Sequence, residues 1–451
     1  MSLRTVILRG LLAVPLLVSL APLEAQKKEK RDVQGLIYDL KHPEVKRRTT
    51  AANALGDHRV RRAVPALIEL TKDPDDMARY EATRALVRIN DTRALPAYVR
   101  LTHDEKRVVQ KKAIEGIIAI YVVEEGGLVE GIKSLADFVN PLSADYNPLI
   151  VEPYVPVSQK AIDALSDLLT FSDSGTRKDA ATVLGILRAH SALPAIQETL
   201  EQETDDGVKV ELVRAIYKIG DPEAGSALIR LIRDPDKKVH DEAIFTLGRL
   251  RVAQAVPQLK ELYSFGVEER RKIFGVVPVS KSDHLQKKVL EALAYIGDSG
   301  CRDIFLGALE DQREAFRRYG AEGLGRMADS SVTMDVAKKY LREDSGSVRL
   351  AMGFALFRMG REEHLVELID RVGDDQAYFY LLELEPAEVA KLYPYLSSKK
   401  SSVQTRLLDV IGMRGDMSAL SIVQPMVESK DENVVSAANL AIRRLRGRHQ
   451  G

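Results

Sequence analysis

The residues whose side chains could carry out chemistry are few and widely spaced. The chain has one cysteine, Cys301, and eight histidines. The nearest approach to a metal-binding group is His240-Asp241-Glu242, but a single group of this kind is more typical of a solvated helix start. No phosphate-binding glycine loop, GxSxG turn, HExxH motif or paired CxxC motif is present. We therefore expect no catalytic residue, no cofactor and no metal, and we expect the protein not to be an enzyme.

The composition favours many small helices over sheets. The 451 residues contain no tryptophan and only 6% aromatic residues, while 29% are charged. Lysine plus arginine equals aspartate plus glutamate, at 66 each, so no net charge draws the chain to nucleic acid. One cysteine cannot form an intrachain disulfide, so packing alone must hold the fold together, and we expect Cys301 to be an inert small residue.

A repeat of 31 residues runs through the chain. Shifting the sequence by this length places Leu247 on Ile216, and it also aligns a group of positions near the amino terminus. These positions are Ala51, Ala82 and Ala113, followed by Leu55, Leu86 and Ile117. A period between about 20 and 50 residues indicates a solenoid in which each unit buries its apolar face against the next.

Each repeat has the pattern of two short helices. Asp73-Pro74 and Asp234-Pro235 place a capping carboxylate before a proline, which predicts the start of a first helix. A second helix then opens with an alanine two residues before a proline, as in Ala63-Val64-Pro65. Between the two helices a glycine that tolerates a left-handed backbone is expected to form the turn. The predicted turns are Gly56-Asp57, Gly220-Asp221, Gly297-Asp298 and Gly415-Asp416.

This sequence pattern resembles a known family of helical repeats. The run Arg79–Leu86, followed by Thr92-Arg93-Ala94-Leu95-Pro96, is similar to the HEAT repeat, and in particular to its short bacterial form, the phycobilisome-lyase type. The resemblance covers nearly all of residues 32–448 and implies an all-α, armadillo-like solenoid of about 12 helical hairpins. It also implies a curved surface for protein binding, with the second helices on the concave face. Those helices include residues 66–71, 227–233, 258–263 and 419–426.

The family also includes proteins that handle cofactors. Deoxyhypusine hydroxylase resembles this fold and holds two iron ions through His-Glu pairs, whereas this sequence has no His-Glu pair. Phycobilin lyases of the same type work in the cytoplasm of pigment-bearing cells, and this chain is predicted to be exported. The resemblance therefore implies the fold more firmly than it implies a lyase or hydroxylase activity.

The amino terminus has the pattern of an export signal. Arg4 and Arg9 precede an apolar stretch over residues 11–21, and Ala25 is a small residue suited to the last position before a cleavage site. The apolar stretch is shorter than the roughly 20 residues of a membrane span. We expect a periplasmic or secreted bacterial protein with no integral membrane span in the mature chain. An uncleaved inner-membrane anchor is the alternative.

Two insertions interrupt the repeat and are the candidate contact sites. The first insertion, residues 140–156, is rich in proline and tyrosine, and the second, residues 264–283, is expected to be a loop. Solenoids often bind partners through such insertions. The candidate protein-binding residues are Tyr146, Tyr154, Phe265, Arg270, Arg271 and Phe274.

The sequence thus predicts six segments and one main function. The segments are a signal peptide at 1–25, repeats at 26–139, the first insertion at 140–156, repeats at 157–263, the second insertion at 264–283 and repeats at 284–448. The function that these features favour is an exported, non-enzymatic scaffold that binds a protein of the cell envelope. The alternatives are an enzyme or cofactor-handling protein related to the lyases or the hydroxylase, and a membrane-anchored structural protein of the envelope.

Overall fold

Helices make up all the regular structure in the described part of the chain. The computed structural model describes residues 32–122, 150–152, 154–272, 279–397 and 400–447, and no strand occurs among them. The predicted signal peptide lies outside these residues. None of the helices described is long and apolar enough to cross a membrane. The all-α solenoid predicted from the repeat is confirmed.

The described helices alternate between two types, as the repeat predicts. The chain divides into two compact units, residues 1–116 and 117–451. The first helices in the first unit are Val45–Asp57 and Asp76–Ile89, with Arg107–Tyr121 crossing the boundary. The first helices of the second unit are Ser174–Ile186, Asp206–Ile219, Lys237–Arg249, Val279–Ile296, Glu314–Met327, Gly346–Arg358, Asp375–Leu381, Ser401–Arg414 and Glu432–Gly447.

The second helices are shorter, and most of them begin with a 3-10 turn. In the first unit they are Val64–Leu70 and Leu95–Leu101, and a further helix occupies residues 32–39. In the second unit they are Gln159–Asp167, Leu193–Gln202, the 3-10 helix Ala224–Arg233, Val256–Lys272, Arg302–Leu309, Thr333–Tyr340, Leu365–Asp370, Pro386–Val389 and Leu420–Val423. The last two are short, and each continues directly into a 3-10 helix, Ala390–Tyr395 and Gln424–Glu428 respectively. The Ala-x-Pro motif places proline at the second helical position, where its missing N–H costs no hydrogen bond.

The helix caps differ in detail from the prediction. The residue that caps Lys237–Arg249 is Asp236, whose carboxylate accepts hydrogen bonds from the backbone N–H of Lys238 and Val239. Asp234, the predicted cap, accepts the N–H of Asp236 at 2.9 Å and thereby shapes the turn that precedes the helix. The Asp-Pro pair therefore marks the turn, and the cap lies two residues later.

Two of the four predicted glycine turns have the left-handed backbone. Gly220 and Gly297 have φ values of 80° and 66° and follow the ends of their helices. Gly56 lies inside the helix Val45–Asp57, and Gly415 has a φ of −68°. In the first repeat the left-handed position is taken by Arg59, with a φ of 49°.

A buried aliphatic residue recurs near the end of each first helix and marks the register. Leu247, the position compared with Ile216 in the sequence, is fully buried, and so is Ile216. The equivalent buried residues in the later helices of the second unit are Leu293, Leu324, Leu356, Leu381, Ile411 and Ile442. We call each of these the register residue of its helix.

Successive first helices approach each other closely through small residues. A Cβ atom added to Gly325 would lie 2.8 Å from the Cα of Ala355 in the next first helix. The same contact joins Gly185 to Ala215 at 2.8 Å. A Cβ at Gly412 would likewise stand 2.8 Å from the Cα of Ala441. Each glycine follows its register residue directly, and each alanine precedes the register residue of the next helix. Larger side chains at these points would separate the backbones.

First helices that are not neighbours in the stack also meet in the second unit. Tyr380 donates a hydrogen bond to Glu322 at 2.7 Å, and Arg326 pairs with Glu383 at 2.7 Å, although the helix Gly346–Arg358 lies between them in sequence. Contacts that skip a helix require the stack to bend toward the first helices. The prediction that residues 227–233, 258–263 and 419–426 of the second helices line the concave face is therefore wrong for this unit. The close glycine–alanine contacts explain the difference, because they shorten the side formed by the first helices.

The second insertion is mostly helical rather than a loop. The helix Val256–Lys272 continues through its first nine residues, and the helix Val279–Ile296 begins before it ends. The charged run over residues 268–272 consists of good helix formers, which the loop prediction undervalued. The segment over residues 373–398, which fits the repeat pattern only loosely, contains a short first helix and a short second helix.

The end of the first insertion contacts the carboxy-terminal helix of the same unit. Arg444 donates to both carboxylate oxygens of Glu152, at 2.6 and 2.9 Å, and also to Asp409 at 2.5 Å. The backbone N–H of Val151 donates to the carbonyl of Ile186 at 2.8 Å. These contacts, which we call the clasp, join the start of the second unit's helix stack to its end.

The glycine–alanine contacts give a stability test with an internal control. Gly325→Ala is expected to lower the free energy of unfolding by about 1–3 kcal/mol, because its methyl group meets the backbone of Ala355. Gly307→Ala, in a helix where nothing lies within 4 Å of the new methyl group, is expected to raise it by up to about 1 kcal/mol. Chemical denaturation of both variants measures the difference. Equal effects at the two positions would show that the first helices are not held this closely.

Candidate functional site

The residues predicted from the two insertions do not form one described cluster. Tyr146 and Phe274 lie outside the described residues. Phe265, Arg270 and Arg271 lie on the helix Val256–Lys272. Tyr154 is half-buried beside Gly447 in the carboxy-terminal helix, so it belongs to the surroundings of the clasp. A protein-binding role for these residues stays a prediction.

The group His240-Asp241-Glu242 divides between two ion-pair clusters. Asp241 lies 3.1 Å from His240 and 3.3 Å from Lys288. Burial alone would raise the pKa of Asp241, but the hydrogen bond from His240 and the charge of Lys288 hold that pKa at about 2. Glu242 instead accepts hydrogen bonds from Arg214. Within the described ranges, no set of three histidine, cysteine or acidic side chains is placed to hold a metal ion.

The single cysteine is enclosed by the fold. Cys301 is fully buried at the start of a second helix. Burial raises the pKa of its thiol to about 11, so the reactive thiolate is scarce at neutral pH.

Aromatic and charged groups lie close together on the first helices of the second unit. We define the inner stripe as the residues two before and two after each register residue, because these positions form one face of the helix. From the helix Asp206–Ile219 onward, the inner stripe consists of Arg214 and Lys218, Phe245 and Arg249, Glu291 and Tyr295, Glu322 and Arg326, Phe354 and Arg358, Phe379 and Glu383, Asp409 and Met413, and Leu440 and Arg444.

The centre of the inner stripe is a buried network of charges. Arg326 forms hydrogen bonds to both oxygens of Glu383 and a further one to Glu322 at 3.2 Å. Burial alone would lower the pKa of Arg326, but the two carboxylates raise it above its usual value. Burial likewise favours protonation of Glu383, and Arg326 outweighs that effect and lowers the pKa of the carboxyl. Arg326 and Glu383 therefore stay ionised and neutralise each other.

Three arginines of the inner stripe share one position, two residues after the register residue, and all three are paired. Arg326 pairs with Glu383 at 2.7 Å, Arg358 with Glu388 at 3.0 Å, and Arg444 with Glu152 at 2.6 Å. Lys218 and Arg249 occupy the same position in two consecutive first helices. Among the described residues, neither has a carboxylate within ion-pairing distance.

Arg249 is surrounded by aromatic rings instead of carboxylates. Its guanidinium carbon lies 4.1 Å from the ring centre of Tyr295, 5.1 Å from that of Phe245 and 5.9 Å from that of Phe379. Its Nε atom is buried and has no hydrogen-bond acceptor in the described structure. Phe379 is 47% exposed, so an apolar surface adjoins this arginine. The rings fix the guanidinium in place without neutralising it.

Lys218 is a cation held in an unfavourable position. Burial lowers the pKa of Lys218, Glu211 partly opposes this effect and the charge of Arg214 adds to it, so the pKa is about 8. Arg214 is itself paired with Glu211 at 3.0 Å and with Glu242 at 2.5 Å. The preceding helix therefore offers Arg249 no carboxylate that is not already engaged.

A small cleft adjoins Arg249 on the same surface. Its walls are Phe245, Lys288, Glu291, Ala292 and Tyr295, and its volume is about 20 Å³, enough for about one water molecule. Burial raises the pKa of the Tyr295 phenol to about 12 despite the neighbouring arginines, so the phenol stays protonated at neutral pH. The surface therefore suits a ligand that lies along it rather than one that is enclosed.

The sequence contains a signal for this site that the apolar repeat pattern does not use. Lys218 and Arg249 are 31 residues apart, the repeat length, and each follows a register residue by two. Comparing charges at equivalent positions identifies the pair. Only the structure shows that the other arginines at this position have carboxylate partners, since Glu383 and Glu152 lie 57 and 292 residues away from theirs.

The comparison with protein families agrees with this architecture. The family model described as HEAT repeats matches residues 33–118 and 196–273. These two stretches of the chain match HEAT repeats. The matched stretches include the helices that carry Lys218 and Arg249.

Curated relatives also match parts of the chain. Phycocyanobilin lyase subunit alpha of Picosynechococcus sp. is 31% identical over 146 residues, which is 30% of this chain and 52% of the relative. Bilin biosynthesis protein PecE of Mastigocladus laminosus is 32% identical over 84 residues, covering 19% of this chain and 31% of the relative. Deoxyhypusine hydroxylase of Neosartorya fischeri is 28% identical over 131 residues, which is 27% of this chain and 39% of the relative. The chain spans between about a third and a half of these relatives.

Solved structures with similar folds include an engineered protein and a lyase complex. The engineered protein has a TM-score of 0.41 at 19% identity and covers 92% of this chain and 99% of its own. The complex of CpcE and CpcF of phycocyanin lyase from Nostoc sp. has a TM-score of 0.35 at 20% identity. The match covers 63% of this chain and 94% of the chain in that structure.

The prediction that the protein is not an enzyme is contradicted by these relatives. They are named as lyase subunits and a hydroxylase, which points to an enzyme-related family at low identity. The prediction relied on missing motifs of short spacing. In a solenoid, groups that lie far apart in sequence meet on the inner surface, so a search for compact motifs is a poor test.

Lys218→Met gives a test of the unpaired lysine by the pH dependence of stability. Because the pKa is about 8 in the folded state and near 10.5 in the unfolded state, the charged lysine destabilises the fold below pH 8, and this cost declines between pH 8 and 10.5. Lys218→Met is therefore expected to be more stable than the parent at pH 7, by on the order of 1 kcal/mol or more.

The gain in stability of Lys218→Met over the parent chain should be smaller at pH 10 than at pH 7. Urea denaturation at the two pH values measures it, with Lys237→Met on the exposed start of the next first helix as the control. A Lys218→Met advantage that is the same at both pH values, or a loss of stability at pH 7, would contradict the burial of an unpaired charge.

Proposed function

We propose that the protein is a HEAT scaffold that binds a partner protein on the inner stripe of its second unit. The observation that carries this proposal is the pair Lys218 and Arg249, two cations without carboxylate partners on a surface where the equivalent arginines are all paired. An unpaired and partly buried charge destabilises a fold, so its presence favours a role in binding.

The composition of the inner stripe supports a protein partner. Arginine and aromatic residues are enriched at the centres of protein interfaces, and here Arg249 lies between Phe245, Tyr295 and Phe379. Phe379 and Met413 are 47% and 40% exposed on the same stripe. The stripe runs over eight first helices from Asp206–Ile219 onward, and a surface of this length suits a polypeptide chain.

A second candidate function is a role in an enzyme assembly. The names of the relatives favour it, because one is a lyase subunit and another a hydroxylase. In that case the inner stripe would hold the protein on which the assembly acts. The two candidates differ in whether the bound partner is chemically changed, and the intact mass of a partner recovered from the complex distinguishes them.

Export to the cell envelope is a further part of the proposal. The arginines at positions 4 and 9 and the apolar residues 11–21 support it. We expect the protein isolated from its own cells to begin at or near Gln26, as measured by intact-mass spectrometry. A native chain that retains residues 1–25 and fractionates with the cytoplasm would contradict export, and one that retains them in the membrane would favour the uncleaved anchor.

The proposed binding surface can be tested with two matched pairs of substitutions. Phe379→Ser with Met413→Ser removes two exposed apolar side chains from the inner stripe. Met334→Ser with Leu341→Ser removes two from the side formed by the second helices, where they are 63% and 82% exposed. We expect a partner captured by the intact chain to bind the inner variant at least tenfold more weakly and the outer variant unchanged, which corresponds to about 1.4 kcal/mol.

Affinities are measured with the identified partner in purified form. If the outer variant loses the partner and the inner variant keeps it, binding uses the second helices and the proposed surface is wrong. If neither variant changes the affinity, the predicted contacts at the two insertions become the surface to examine. Equal thermal melting of both variants confirms that the fold is intact.

A further inference from the structure

We propose that Lys218 and Arg249 together bind a carboxylate on an acidic segment of the partner protein. This inference rests on the proposed function and names the chemistry of the partner. The ligand is a glutamate or aspartate side chain that lies next to an apolar residue in an extended stretch of polypeptide.

The first argument is the contrast within one position of the repeat. In the second unit, Arg326, Arg358 and Arg444 each receive a carboxylate from the chain itself, at distances of 2.6–3.0 Å. Lys218 and Arg249 lie at the same position but receive none among the described residues. The fold therefore supplies the counter-charge at three places and omits it at two consecutive ones.

The second argument is the arrangement of charges on the neighbouring helices. Lys218 and Arg249 lie on helices that are adjacent in the stack, at a typical helix spacing of about 8–10 Å. Arg214, four residues before Lys218 on the same helix, is already neutralised by Glu211 and Glu242. A carboxylate of a partner that lies across these two helices would supply the counter-charge that both cations lack.

The third argument is the geometry of Arg249. Its guanidinium rests against Tyr295 at 4.1 Å, which orients the group and excludes water from the buried Nε atom. An oriented guanidinium without a protein acceptor is prepared for a carboxylate, which it can bind through two parallel hydrogen bonds. Because the rings hold it in place, less side-chain entropy is lost on binding.

The surroundings define what accompanies the carboxylate. Phe379 lies 5.9 Å from the Arg249 guanidinium and is 47% exposed, so an apolar side chain of the partner can cover it. On the other side, Glu291 lines the small cleft and would repel a second carboxylate there. The site thus favours one acidic residue followed by an apolar residue over a run of acidic residues.

The test uses a fluorescein-labelled synthetic peptide in which glutamate alternates with phenylalanine, with a matched peptide that carries glutamine in place of glutamate. Binding to the full chain is measured by fluorescence anisotropy. We expect Lys218→Gln with Arg249→Gln to weaken binding of the glutamate peptide at least tenfold. The control is Lys237→Gln with Lys238→Gln, which removes the same charge from exposed positions at the start of the helix that carries Arg249 and should change the affinity less than twofold.

A third variant separates geometry from charge. Arg249→Lys keeps the charge but loses the planar guanidinium, and we expect it to weaken binding about threefold or more while leaving the melting temperature close to that of the parent. This variant also keeps the test valid if the double substitution unfolds the protein.

Two results would overturn the inference. One is equal binding of the glutamate and glutamine peptides to the parent chain. The other is equal affinity of the parent and the Lys218→Gln, Arg249→Gln variant for the glutamate peptide. Binding of the captured partner to the variants then shows whether only this inference is wrong or the proposed function is wrong as well. If the partner depends on Phe379 and Met413 but not on Lys218 and Arg249, the inner stripe still binds protein and only the carboxylate site is wrong. If it depends on neither pair, both are wrong.

Discussion

The close contact between glycine and alanine on successive first helices determines how the second unit is built. Because Gly325 has no side chain, the backbone of Ala355 approaches within a distance that no larger residue allows. The first helices therefore stack more tightly than the second helices, and the stack bends toward them. That bend brings together side chains from helices that are not neighbours, as in the pair of Arg326 and Glu383. The inner stripe, and with it the candidate site, is a consequence of this spacing.

The charges on the inner stripe follow two patterns. Where the bend brings a carboxylate within reach, as at Arg326, the ion pair is buried and its removal would leave an uncompensated charge. Where no carboxylate is brought within reach, as at Lys218 and Arg249, the chain retains charges that burial makes unfavourable. Structural ion pairs and unpaired cations thus both occur at one repeat position. The unpaired cations are the places where a bound ligand could supply the missing negative charge.

The sequence predicted the local features well because they depend on neighbouring residues. The repeat length, the buried register residues such as Leu247 and the Ala-x-Pro starts of the second helices all follow from short-range patterns. It failed where the outcome depends on distant contacts. The resemblance to HEAT repeats implies a concave face on the second helices, whereas the small residues at the first-helix crossings bend the second unit the other way. The loop predicted at residues 264–283 is largely helical, since helix propensity over the charged run outweighs the break in the apolar pattern.

The clasp between Glu152 and Arg444 changes how the second unit can lose its structure. In a stack held only by contacts between neighbouring repeats, the last repeat can open without disturbing the others, so unfolding spreads inward from the end. Here the last helix cannot leave without breaking the contact of Arg444 with Glu152, 292 residues away in sequence. Among the described repeats of this unit, the helix Glu432–Gly447 is therefore not a loose end from which the stack can unfold. The repeats of this unit therefore unfold more cooperatively because of a few side-chain contacts, without any additional buried apolar core.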